Sequence, residues 1–282
     1  MNKKQIYNVK TLRIENYNLY LYMRTILLGI FISISLWSFA QTNKIDTLQA
    51  GEHFEFIAPL RILDDQSAQF YYAEANNYFL KQQFTPASFL IKKAISMQAE
   101  NAEYWLLKAW IFSNLEQSTA LHAAQQAAIL KPNDWRMTYC LAYCKQISGD
   151  YVGAVIDYSK VIAVQTDNHL AYVGRANCKE ALKDYEGAIA DYSIAIMFKP
   201  TDEKSYLSRG ILQYKINQFY EAISDLSGAI VKMPNNATAY YYRGLAYIEL
   251  KDYATACTNF TKASELGNKE VKTEISRYCI RN

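Results

Sequence analysis

DYEGAIADYSIAI, from Asp184 to Ile196, nearly duplicates DYVGAVIDYSKVI, from Asp150 to Ile162. The two phrases start 34 residues apart, and QFYEAISDLSGAI (Gln218–Ile230) and DYATACTNFTKAS (Asp252–Ser264) follow at the same interval. A fixed period of this size marks a stacked array of short units. Two columns of small residues count the units. One reads Ala87, Ala120, Ala154, Ala188, Ala222 and Ala256; the other reads Ala94, Ala127, Val161, Ala195, Ala229 and Ala263. Each column steps once by 33 and then four times by 34, the short step falling at SNLEQSTA (Ser113–Ala120). Six copies result: 67–100, 101–134, 135–168, 169–202, 203–236 and 237–268.

Each copy divides into two helical halves. In the fourth, Tyr185, Ala188, Ile189, Tyr192, Ala195 and Ile196 recur with helical spacing on one face. The intervening LKD (Leu182–Asp184) has room only for a tight turn. KPTD (Lys199–Asp202) and MPNN (Met233–Asn236) close a copy, because Pro cannot continue a helix and Asp or Asn suits the next N-cap. Alanine in both columns lets antiparallel helices approach closely, and Tyr151, Tyr185, Phe219 and Tyr253 fill the space beside them.

These residues carry a family resemblance. Tyr172, Arg175, Ala176, Ala188, Tyr192, Ala195 and Pro200 in copy four follow the tetratricopeptide-repeat (TPR) pattern. So do Tyr206, Gly210, Ala222, Ala229 and Pro234 in copy five, and Tyr240, Gly244, Ala256, Phe260 and Ala263 in copy six. Copies one to three are looser: Trp105 and Ala109 hold in copy two, and Thr138 stands where copy three should have an aromatic. The chain resembles a TPR protein of the exported bacterial type over about seven-tenths of its length. The resemblance implies an all-α solenoid, a right-handed superhelix of six helix-turn-helix repeats plus a C-terminal capping helix (269–282). It also implies a protein-interaction scaffold whose first helices line a concave groove. Composition agrees: half the residues are apolar, with 24 Tyr against 10 Gly and 5 Pro, which suits a packed helical array.

The front of the chain differs. From Met23, one Arg precedes an apolar run over Ile26–Trp37, and Ser38 and Ala40 supply small residues. That is the layout of a secretory signal peptide (23–40) cleaved after Ala40. Fifteen residues from Ile26 to Ala40 fall short of the ~20 that span a bilayer. Residues 1–22 then read as a gene-model extension and 41–66 as a linker. The leader also distorts the charge, which is +3 over the whole chain. Removing its five basic residues and Glu15 leaves 25 basic against 26 acidic, so no nucleic-acid footprint remains. The expected location is periplasmic or extracellular, with membrane contact only if the leader persists as an anchor.

Chemistry is thin. His53, His122 and His169 lie far apart, with neither metal nor triad spacing, and no phosphate-binding loop is present. No catalytic residue, metal site or cofactor is expected, and the chain reads as a non-enzyme. Cys140 and Cys144, with Cys178 one copy later, read as small buried residues on first helices. Cys257 and Cys279 lie 22 residues apart, Cys279 on the terminal stripe Val271, Ile275 and Tyr278. Either a disulfide of an oxidising compartment or two buried thiols fits there.

Two further expectations concern charge and partner. Arg175, Arg209 and Arg243 stand on first helices; Asp157, Asp191 and Asp225 stand on second helices. Pairing each Asp with the Arg of the next copy matches three of three, which predicts inter-repeat ion pairs: Asp157–Arg175, Asp191–Arg209 and Asp225–Arg243. The groove is expected to present Tyr72, Asn76, Trp110, Tyr139 and Tyr143 from copies one to three, and Asn177, Lys204, Tyr214 and Tyr241 from copies four to six. Aromatics offer large contact area at low rotamer cost. The family's carboxylate clamp for acidic chaperone tails needs Lys on this side, whereas Tyr139, Val173, Leu207 and Tyr241 occupy the corresponding places. An aromatic, nearly neutral groove for a protein or peptide segment is therefore expected, with a peptide- or glycan-binding module as the alternative.

Overall fold

The computed structural model describes residues 67–279. The expected extension, signal peptide and linker, and the last three residues, lie outside the described residues. Among the described residues there are thirteen α-helices and no strand. They pair as hairpins: α1 (Ala68–Leu80) with α2 (Phe84–Met97), α3 (Ala102–Ser113) with α4 (Gln117–Leu130), and α5 (Trp135–Ile147) with α6 (Tyr151–Val164). Then come α7 (His169–Ala181) with α8 (Tyr185–Phe198), α9 (Glu203–Lys215) with α10 (Phe219–Lys232), and α11 (Ala237–Glu249) with α12 (Tyr253–Glu265). The odd helices also touch the next odd helix along repeats one to four and from five to six.

Local chemistry sets the helix ends. Asn101, Asp134, Asn168 and Asn236 cap first helices, accepting from the backbone N–H of Glu103, Arg136, Ala171 and Ala239 at 3.0–3.1 Å. Asp150, Asp184 and Asp252 cap second helices, accepting from Gly153, Gly187 and Thr255. These bonds satisfy donors that the first helical turn leaves open. Between the paired helices one residue turns left-handed: Gln82, Gly149, Lys183, Asn217 and Lys251, with φ of 57°, 84°, 64°, 63° and 65°. Repeat two lacks such a residue. Its connection keeps three residues, but α3 has 12 residues where the other first helices have 13, so the 33-residue step is a first helix shortened by one residue.

The core is the two small columns. All eleven alanines and Val161 are fully buried. The close approach of paired helices leaves no room for a side chain at Gly244, where an added Cβ would stand 2.5 Å from the Phe260 ring. Phe260 is itself buried with Ala256, Ala263 and Val271. Helical turns follow the last hairpin, in the segment expected to cap the array. α13 (Val271–Glu274) makes one α-turn and widens into a π turn over Ile275–Cys279. Val271 plugs the last hairpin, Tyr278 stacks on Tyr253 at 5.9 Å, and a disulfide joins Cys257 to Cys279.

The ion pairs correct the expected inter-repeat set. Arg175 donates from Nε and Nη2 to Asp191 of its own repeat at 2.9 and 2.7 Å, and Arg209 binds Asp225 at 2.6 and 2.7 Å. Each Arg spans repeats through Nη1 alone, which reaches the hydroxyl of Ser159 or Ser193 on the preceding second helix. Asp157 binds Lys145 at 2.6 Å and Lys160 at 2.7 Å, not Arg175. Arg243 turns to Asn259, not Asp225. The reason is geometric. Residues 16 apart across a hairpin turn stand at the same height, so an Arg meets its own repeat's carboxylate before it meets the earlier one.

Candidate functional site

The first helices carry the candidate surface. Along it, the nine expected groove residues divide by burial. Tyr72 is buried and stacks on Tyr104 at 5.0 Å. Trp110 is only 3% exposed; its ring lies 6.3 Å from Tyr139 and 5.1 Å from Tyr143, cementing α3 to α5. These two residues are packing elements, which corrects the expectation that they line an open groove. Both rings are too large to leave uncovered when a neighbouring first helix lies within reach. Tyr139 is half-buried against Tyr158 in the repeat-three core. Tyr143 is half-buried, and Asn177 and Lys204 are exposed. Tyr214 packs on Tyr242 and Phe219, and Tyr241 on Tyr242 and Phe260, each half-buried. Asn76 is half-buried, and its Oδ1 has no hydrogen-bond partner among the described residues.

Two sets of ion pairs join neighbouring first helices. Arg136 of α5 donates to Glu103 of α3 at 2.7 and 3.3 Å and also holds Asp134, while Lys131 binds Glu103 at 3.0 Å. Lys215 of α9 binds Glu180 of α7 at 2.9 Å. Burial works against the Asp134 carboxylate, but hydrogen bonds from Arg136 outweigh it and hold the pKa below the usual range. Burial raises the pKa of Tyr139 and Tyr143, so both phenols are neutral across the physiological range. Between the two ion-paired seams lies a neutral strip with Tyr143 and Asn177. Asn177 accepts the Tyr192 hydroxyl, which fixes its amide.

The TPR_16 tetratricopeptide-repeat model matches residues 207–263, spanning α9 to α12. Solved structures with the same architecture include PilW, a widely conserved type IV pilus biogenesis factor. It is 15% identical, with a TM-score of 0.66, and the match covers 74% of this chain and 98% of that one. The chain is a TPR solenoid. The Pseudomonas aeruginosa pilF structure superposes with a TM-score of 0.65 at 14% identity, covering 76% of this TPR chain and 98% of its own. YrrB, described as a TPR protein with an unusual peptide-binding site, gives 0.58 at 18% identity, covering 66% and 97%. No curated protein matches the sequence significantly.

Other residues of the TPR array acquire meaning only in three dimensions. Lys108 occupies the Arg column of repeat two, but its Nζ sits 4.7 Å from the Trp105 ring centroid, because Ala123 stands where a carboxylate would be. Burial, then Lys92, lowers its pKa. Cys140, Cys144 and Cys178 are fully buried free thiols. Burial raises the pKa of Cys140, and burial followed by the Asp150 charge pushes that of Cys178 up to about 12. Among the described residues no cluster of His, Cys, Asp and Glu could hold a metal, and no helix is long and apolar enough to cross a membrane.

Proposed function

We propose that this TPR solenoid is a non-enzymatic scaffold that holds an extended or helical segment of a partner protein against its first-helix face. The reading rests on one observation: the neutral strip with Tyr143 and Asn177 lies between seams whose charges are already paired, Glu103–Arg136 and Glu180–Lys215. Uncharged side chains flanked by paired charges suit amide and apolar contacts and disfavour a polyanion. The peptide-binding site named for YrrB supports a peptide segment as the ligand class. Burial of Trp110 and Tyr72 moves the contact surface towards repeats three and four.

The test is site-specific photocrosslinking in cells. A benzoyl-phenylalanine at Asn177 is expected to capture a defined protein, and the same probe at the exposed Tyr220 of α10 is not. Equal capture at both positions, or none at Asn177, would refute the surface. We further propose export, with cleavage after Ala40; the Cys257–Cys279 disulfide supports an oxidising compartment. The mature N-terminus is then Gln41, and a full-length leader retained in membranes would overturn it.

A further inference from the structure

The six repeats build one structural position several times, and the sixth leaves it incomplete. In repeat three the carboxylate of Asp157 is gripped by Lys145 and Lys160. In repeat four Asp191 takes Arg175 and Lys179, and in repeat five Asp225 takes Arg209 through two parallel bonds. Repeat six keeps the cations but not the anion. Arg243 stands 34 residues after Arg209, and Lys262 stands three residues after the key position, as Lys160 does in repeat three. The key position itself is Asn259.

The consequences are visible bond by bond. Arg243 Nε donates to Asn259 Oδ1 at 2.8 Å and Nη1 to Ser227 Oγ at 3.0 Å. Nη2, which binds a carboxylate oxygen in repeats four and five, makes no hydrogen bond among the described residues. Asn259 cannot serve it, because its Nδ2 donates to the Thr255 carbonyl at 2.8 Å. The guanidinium lies over the Tyr240 ring at 5.5 Å, and burial lowers its pKa. Among the described residues Lys262 pairs with Glu265 alone, at 3.1 Å, the two side chains 45% and 58% exposed. Such a surface pair is easily exchanged. A cleft of about 440 Å³ opens at this point, lined by Tyr240, Arg243, Asn259, Lys262 and Glu265, with Thr258 and Thr261. Both threonine hydroxyls donate to backbone carbonyls, so the charged donors lining the cleft are the two cations.

We infer that this cleft binds a carboxylate supplied by another molecule, taken up by Arg243 Nη2 and Lys262 Nζ beside the Asn259 amide. The ligand is a carboxylate because that is the group the same framework accepts in repeats three to five. A charge-assisted bond to a planar guanidinium edge favours this geometry. The site belongs to the last hairpin and is separate from the strip with Tyr143 and Asn177, so either reading can fail without the other.

The experiment uses the full chain labelled with 15N-arginine, following the Arg243 Nε–Hε resonance at constant ionic strength. The probes are acetyl-Gly-Glu-Gly-amide for a side-chain carboxylate and acetyl-Gly-Gly for a terminal one, with acetyl-Gly-Gln-Gly-amide as the neutral control. A saturable shift with at least one carboxylate probe, and none with the Gln peptide, is expected. The probe preferred identifies the source. Asn259→Asp installs the missing anion and is expected to weaken binding at least tenfold while the protein stays folded, since Asp is native at this position in three repeats. Arg243→Gln is expected to abolish the shift. Absence of a saturable shift with both carboxylates, unchanged affinity in Asn259→Asp, or preferential binding of inorganic phosphate would overturn the assignment.

Discussion

Arg209 and Asp225 meet edge to edge, Nε and Nη2 each donating to a different carboxylate oxygen at 2.6 and 2.7 Å. Asp225 is almost wholly buried, its side chain 9% exposed. Removing one member leaves a charge without its partner in a site that excludes water, at a cost of about 3 kcal/mol. Asp225→Ala is therefore expected to destabilise the array more than the double change Arg209→Met/Asp225→Leu. Urea denaturation of both variants checks this; a double variant less stable than the single one would contradict it.

Gly244 is set by the Phe260 ring 2.5 Å from where a Cβ would stand. Alanine gains about 1 kcal/mol of helix propensity over glycine. Overpacking of a close contact costs about 1–3 kcal/mol. The clash is expected to win, so Gly244→Ala lowers the unfolding midpoint although it improves the isolated helix. Paired measurement with Gly244→Ala/Phe260→Leu should show recovery.

The Cys257–Cys279 bridge ties the terminal π turn to α12, with 22 residues of separation. On the loop-entropy estimate its reduction costs about 3 kcal/mol. Because a solenoid gains stability from nearest-neighbour interfaces, the loss should concentrate in α11 to the π turn. Hydrogen exchange with and without reductant is expected to show faster opening of Val271–Cys279 and α12, with α1 to α6 unchanged.

Cys178 gives a pH signature with a defined sign. Its folded pKa is raised to about 12 by burial and then by the Asp150 charge. An unfolded thiol ionises near about 8.5. The protonated thiol's contribution to stability is therefore full below that range and is lost as pH rises from there through about 12. Thermal midpoints are expected to fall from about pH 9 upward, and Cys178→Ala should flatten part of that slope. Maleimide labelling of Cys140, Cys144 and Cys178 in the native state should be slow at pH 8 and complete on unfolding.

Sequence alone determined the period, the helical hairpins, the two alanine columns and the place of the short repeat. These are legible because a helix-pair solenoid writes its contacts at constant spacing: Ala154, Ala188 and Ala222 are small for the same local reason in each copy. Tertiary structure decided everything that depends on competition between neighbours. Counting matches along the chain assigned each Arg to the carboxylate of the copy before, and only the height of residues 16 apart across a hairpin chose Asp191 for Arg175 and Asp225 for Arg209. Trp110 and Tyr143 are both aromatic on the same helix face, yet the approach of α5 to α3 buries the first and leaves the second half-covered. Asn259 is one letter from the residue at its place in three other repeats; that Arg243 Nη2 is thereby left without an acceptor is a matter of distance and direction, which no spacing along the chain records.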